Sequence, residues 1–596
     1  MAIKEIVNFV LKSNEKSSEI LMHKQKLIFL ISSAVLLLVL VIAFFTIRWV
    51  MNNFNLPVET GRLVNLATQL KNFDQKELES YNPKSQRSID VLHYNIKIDL
   101  FPEEEKIIGD VTILLKINDK KASRLEINFY DNMEIRDLRL NGSKVKYDRS
   151  EKLLSIESNG HSLDTAIVRI VYEGTPKSLG FGSFNFEKVD NNSQVYSLNE
   201  PVFASTWFPC IDLPDDKALL DMFITNDSSS VSLSNGKLID TSVNGSRKTY
   251  HWKTYYPVST YLIALYSGNY KSVSQKYSSV SGDTLDLSYY ALPKNIENAQ
   301  KDFSDHPKYI KTFEELFGAY PFVKEKYSVA EFWWQSGAME NQTITGIGSN
   351  YITGKKFFSD VLIHELAHHW WGNAVGPKTW KDVWLNEGFA TYSEALYWEK
   401  QSDIRALQST LSSKFGMFPK GTLYNPGNAL FSSMIYHKGA WVLHMLRREV
   451  GEEYFFRILR EYFRQYKYSN ASTIDFKLFC EKISKKNLKS FFDQWVYKGE
   501  GIIEFEYGWS AKKTGENFIT TIKIKQLQKG YDIYNFPLDI KLIFDGEEEA
   551  QISTALIEGK EVTINLGSKS KPSQIMLDPE GWLLAKINIS PEDAQK

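Results

Sequence analysis

Polar and apolar residues alternate along much of the chain from 86 to 275. Leu92, Tyr94, Ile96, Ile98 and Leu100 share one side of a run, and Val111, Ile113, Leu115 and Ile117 share one side of the next. A period of two puts successive side chains on opposite faces of a strand, so this stretch predicts a β-rich domain of short strands. Turn pairs such as Asn141-Gly142 separate them. From about 276 to 500 the apolar spacing becomes three and four, which predicts helices at 306–318, 361–371 and 387–400, with three more between 440 and 483. Alternation returns at Phe518, Thr520, Ile522 and Ile524, and again from Phe536 to Phe544, so 501–596 reads as a small β-sandwich. No internal repeat interrupts this order.

Before the alternating region stands a run of another kind. Residues 27–47 carry no charge, and 21 residues rising 1.5 Å each span the roughly 30 Å of a bilayer's hydrocarbon core. One transmembrane helix is expected there, after a tail at 1–26 and before a polar stalk at 48–85. The run is too long for the apolar part of a signal peptide, and no small-residue cleavage pattern follows it. Lys4, Lys12, Lys16, Lys24 and Lys26 precede it, whereas Arg48 and Arg62 are the only basic residues in the first fifteen after it. The excess of lysine places the N-terminus in the cytoplasm and the body of the chain outside, at the cell membrane.

The remaining composition narrows the function. A chain of 596 residues makes several domains, and 43% hydrophobic with 24% charged residues is a globular balance that excludes a disordered or collagen-like protein. The net charge is -1 and no basic block occurs, so no nucleic-acid partner is expected. Two cysteines, Cys210 and Cys480, exclude a disulfide framework and a cysteine zinc module, leaving either one bridge or two buried thiols.

The candidate chemistry lies in His364-Glu365-Leu366-Ala367-His368. On a helix, positions i and i+4 lie one turn apart on one face, so both imidazoles can point at one metal ion while Glu365 stands beside its open position. The bland alternative is two histidines packed in a helical core. Zinc in a catalytic site needs a third protein ligand, and Glu387, near the start of the next predicted helix, is the candidate. Taken alone, an acid at a helix start only complements the dipole. Glu394, two turns further on, is placed to accept a hydrogen bond from a ligand imidazole.

With Gly337-Ala338-Met339-Glu340-Asn341 ahead of the histidines and Glu387 in WLNEGFA behind them, the chain resembles the gluzincin aminopeptidases, the aminopeptidase N and leukotriene hydrolase family (peptidase family M1). The segment SLNEPVFASTWFPCIDLPDDKA at 197–218 is similar to the family's substrate strip, Tyr436-His437-Lys438-Gly439 to its Tyr-x-Lys-Gly element, and LDPEGWLL to its third domain. The resemblance covers about 86–596. It implies an α+β multidomain fold: a saddle-like β-rich N-terminal domain at 86–275, a thermolysin-like catalytic domain at 276–500 and a β-sandwich at 501–596. It also implies one Zn²⁺ per chain on His364, His368 and Glu387, with Glu365 as general base and Tyr436 as donor to the oxyanion. Glu340 and Glu200 would receive the free α-ammonium of a peptide, and Gly337, Ala338, Met339 and Asn341 would line its backbone.

Two departures stand out. Many members cap the cavity with a C-terminal helical solenoid that has no counterpart in this sequence, so a more open site is expected. Where many members carry an arginine in the substrate strip, this chain has Ser205-Thr206, so that contact is not carried over. The expected activity is hydrolysis of N-terminal residues from peptides. A zinc endopeptidase, which would not need Glu340, and an inactive member serving as receptor or scaffold are the alternatives.

Overall fold

The computed structural model describes residues 84–590 apart from 159–163, 181, 335–336 and 547–548. The apolar run 27–47, the tail 1–26 and nearly all of the expected stalk 48–85 lie outside the described residues. Among those described, no helix is long and apolar enough to cross a membrane.

The first part of the described chain is built on one large sheet. Strand Ile89–Phe101 pairs antiparallel with Lys106–Ile117 on one side and parallel with Lys217–Asp227 on the other, and the sheet extends outward to nine strands. Tyr94, Ile96, Ile98 and Leu100 are buried, as the alternation predicts. Leu92 is not: the register shifts between Val91 and His93, which turns Leu92 outward to 37% exposure and buries Ile89 and Val91 instead. A one-residue bulge reverses the facing of everything before it, and alternation alone cannot show where the bulge falls.

The region from about 276, expected to be helical, begins as a sheet. Lys271–Ser278, Thr284–Ala291, Tyr327–Phe332, Ile344–Gly348 and Ala338–Met339 lie side by side in that order, with Ala338–Met339 on the edge. The strand Tyr327–Phe332 is buried at every position, so it carries no period-two signal. The helix His306–Phe317 comes between the second and third of these strands, and Ser359–Ala367, Trp384–Gln401, Gly439–Val450, Glu452–Tyr466 and Thr473–Ser484 follow the sheet. The expected helix 361–371 stops at Ala367, with His368 as its cap and a turn beyond it. Past residue 502 two sheets, of four strands and three, face each other as a sandwich. Both cysteines are buried free thiols.

Cations tie these layers together around the helices, Lys438 buried and Lys217 and Arg448 partly so. Lys217 on the large sheet donates to Asn373 O, Ala374 O and Ser469 O at 2.7, 3.2 and 3.0 Å, and burial pulls its ammonium down to about 7. Lys438 donates to Gly499 O at 2.7 Å. Arg448 meets both carboxylate oxygens of Asp539 in the sandwich at 2.6 Å. A charge removed from water, as that of Lys438 is, must be hydrogen-bonded, so this contact holds its partners in one relative position.

Candidate metal centre and carboxylate pocket

His364 and His368 lie on the last turn and the cap of the helix Ser359–Ala367, and the i to i+4 bond survives at its end, with His368 N–H donating to His364 O at 3.2 Å. Both rings turn Nε2 toward the same point. The two nitrogens are 3.0 Å apart, and Glu387 Oε2, from the first turn of the helix Trp384–Gln401, is 3.3 Å from each. Tetrahedral ligands about 2.0–2.1 Å from a zinc ion lie roughly 3.3–3.4 Å apart, so the triad has the dimensions of such a site.

The neighbours show why these nitrogens are free to bind a cation. His364 Nδ1 is 2.8 Å from Glu394 Oε1, and His368 Nδ1 is 2.6 Å from Asn386 Oδ1 and 3.0 Å from Trp371 O. All three partners are acceptors, so Nδ1 carries the proton on each ring and the Nε2 lone pairs are left facing Glu387. Burial opposes a charge on His364, but Glu387 and Glu394 more than offset it and hold the imidazole up at about 9. Burial also acts against the Glu387 carboxylate, yet His368 and His364 hold it down at about 2. Glu394 is itself anchored by Lys414 Nζ at 2.7 Å.

Several of these supports have no sequence signal. Asn386 reaches His368 only because Gly372 leaves room: a Cβ there would lie 2.0 Å from Asn386 Oδ1, and its φ of +118° suits only glycine. Gly388 and Gly439 let two helices touch, each sitting about 3 Å from where the other's Cβ would be, and this brings the turn bearing Tyr436 against Glu387's helix. His369 Nε2 accepts from Thr343 N at 3.0 Å, docking the segment after Glu340 onto the histidine helix. Lys414 caps the end of the helix Ile404–Ser413, with no pattern to single it out.

The other expected residues fall around the triad. Glu365 is buried, one of its oxygens lacks a hydrogen-bond partner, and burial pushes it up to about 8 against the pull of both histidines. The Tyr436 ring stacks on His364 with centroids 5.9 Å apart, and burial, then Glu387, drive its hydroxyl well above the ordinary range. On the far side, carboxylate oxygens of Glu200, Glu340 and Glu387 converge within 4.8 Å of one another, all three residues buried. Asn386 Nδ2 donates to Glu340 Oε1 at 3.4 Å, and Asn373 Nδ2 to Glu340 O at 2.7 Å. Ala338–Met339 presents an open strand edge, while Gly337 O accepts from Gly348 N. Asn341 Nδ2 donates to Tyr266 OH at 2.7 Å, a bond that fixes the loop. Ser205 and Thr206 turn inward, Ser205 onto Asp212 and Thr206 onto Phe203 O. A cavity of about 490 Å³ is lined by Ala338, Tyr351, His364, Glu365, Tyr436 and His437, and neither Glu200 nor Glu340 lines it.

A histidine pair and a glutamate on two packed helices, beside a mixed sheet with one open edge, define a metallohydrolase-like centre. The chain matches the Peptidase M1 N-terminal domain over residues 91–262 and the Peptidase family M1 domain over 302–495. Those two matches take in more than half of the sequence, and the chain belongs to peptidase family M1. It is 25% identical over 480 residues to probable aminopeptidase 2 of Sulfurisphaera tokodaii, covering 76% of this chain and 59% of that one. It is 27% identical over 474 residues to mitochondrial aminopeptidase 2 of Saccharomyces cerevisiae, covering 73% and 49%. The chain thus spans between about half and three-fifths of the length of these relatives. Aminopeptidase A of Legionella pneumophila shares the fold with a TM-score of 0.74 at 19% identity, over 84% of this chain and 60% of that one. An M1 zinc metallopeptidase of Deinococcus radiodurans does so with 0.61 at 24%, over 69% and 94%.

Proposed function

We propose that the chain is a zinc aminopeptidase that removes N-terminal residues from peptides. The observation that carries this reading is the pairing of a three-ligand metal centre with a second group of buried carboxylates a few ångströms away. His364, His368 and Glu387 would hold the zinc, which would lower the pKa of its water toward about 7 and polarise a peptide carbonyl. Glu365 is the buried base that takes the proton and returns it to the leaving amine. Tyr436, kept protonated by its surroundings, donates to the oxyanion. Glu340 and Glu200 pair with the α-ammonium, and the edge Ala338–Met339 takes the peptide backbone as an added strand.

The test is the charge on the substrate. Glu340→Ala removes a charge-assisted contact worth about 1.5–3 kcal/mol, so kcat/KM on a free-amine peptide falls roughly 10- to 150-fold. An N-acetylated peptide, already a poor substrate, changes much less. Equal rates on free and acetylated peptides in the wild type, or equal losses in the variant, overturn the aminopeptidase reading in favour of an endopeptidase.

The reading extends to location. Residues 27–47 anchor the protein in the cell membrane with the catalytic body outside, on the strength of the uncharged run and the lysines ahead of it. A membrane-impermeant label on sealed cells then modifies the body and spares Lys4 and Lys12; labelling of those two reverses the orientation.

A further inference from the structure

The carboxylates opposite the histidines offer more ligand oxygens than one substrate ammonium takes up. Glu200 is 6% exposed, its Oε1 has no hydrogen-bond partner, and the carboxylate faces Glu340 and Glu387. The strongest charges acting on it are three further carboxylates, Glu340, Glu387 and Glu365, against the single imidazole of His368. Three carboxylates thus meet in one buried pocket, and one oxygen of Glu200 there has no partner. Buried charges are paired or bind metals, and carboxylate oxygens without nitrogen or sulfur donors suit hard divalent ions.

We propose that Glu200, Glu340 and Glu387 bind a second divalent cation of the manganese, calcium or magnesium class, in competition with the free α-amine of the substrate. The competition rests on the aminopeptidase reading; the metal site rests on the three carboxylates alone. Glu387 then serves both centres. The second cation acts as an inhibitor, because it fills the place where the N-terminus of a peptide is held.

Manganese is the probe, since free Mn²⁺ gives a six-line electron paramagnetic resonance spectrum that is lost on binding. Titration of the zinc-loaded full chain takes up one Mn²⁺ per chain while its zinc content stays unchanged. Glu200→Gln and Glu340→Gln each weaken that uptake at least about tenfold with zinc retained, as expected when one charged ligand of three is lost. An amino alcohol with a free amine displaces the Mn²⁺ and its N-acetyl form does not, and Mn²⁺ raises KM for a free-amine peptide without lowering kcat. No uptake beyond exchange for zinc, or uptake indifferent to both substitutions, overturns the site even when the preference for free amines is intact. Uptake that both substitutions abolish, in an enzyme that cuts free and acetylated peptides equally, upholds the site and removes only the aminopeptidase reading.

Discussion

Among the described residues two pairs of histidines stand around a carboxylate, and one of them brings three ligand atoms together. On the large sheet, His93 Nε2 and His251 Nε2 approach Asp221 at 2.8 and 2.6 Å, each at a different oxygen, with Lys253 Nζ 3.6 Å from the same group. On the two packed helices His364 and His368 point Nε2 at each other and at one oxygen of Glu387. The difference is made one layer out. Glu394, Asn386 and Trp371 take the Nδ1 protons of the second pair, so that its Nε2 lone pairs converge. On the sheet the histidines spend Nε2 on the carboxylate itself, and no three ligand atoms there meet within 4.8 Å.

Breaking this contrast should have its largest effect at Glu365. Glu365→Gln retains one zinc per chain and lowers turnover by about 10² to 10⁴, checked by steady-state kinetics beside metal analysis; unchanged turnover removes Glu365 from the chemistry. Next comes the support for Nδ1. Glu394→Gln weakens zinc binding about 10- to 100-fold, measured by competition with a chelator, and affinity equal to wild type makes the outer layer irrelevant.

The pH dependence sharpens the same point. In metal-free protein His364 is held up at about 9 from its ordinary 6.5, so the stability it contributes is full below about pH 6.5 and lost as pH rises through 9. Zinc must displace that proton, so its affinity climbs across this window and binding at pH 7 releases protons in calorimetry; an affinity flat from pH 6.5 to 9 contradicts it. The smallest effect belongs to the sheet. Asp221→Asn, at a buried carboxylate that two imidazoles share, costs about 1–3 kcal/mol in denaturant unfolding and leaves zinc content and activity unchanged, and a loss of zinc would show that the two clusters are not independent.

Much of the fold was legible from spacing, and the exceptions have physical causes. The bulge at Leu92 inverted one stretch, and the strand Tyr327–Phe332, buried on both faces, showed no alternation. The sheet that ends in Ala338–Met339 was therefore missed while the helices around it were not. At the site, the histidine spacing and the acids at 387 and 394 could be read because a helix fixes which residues share a face. His369, Lys414, Asn386 and the glycines could not, since each acts on a residue from another element.

What the sequence alone determined is local: the one-turn separation of His364 and His368, the length of the apolar run at 27–47, and the alternation that makes the outer domains β-rich. Backbone geometry sets these distances, and no partner is needed. The tertiary structure decided which nitrogen of each histidine faces inward, that Glu200 and Glu340 join Glu387 in one buried pocket, and that Tyr436 stacks on His364. Those outcomes depend on side chains from distant segments competing for the same donors and acceptors in a space without water, where an unpaired group is costly.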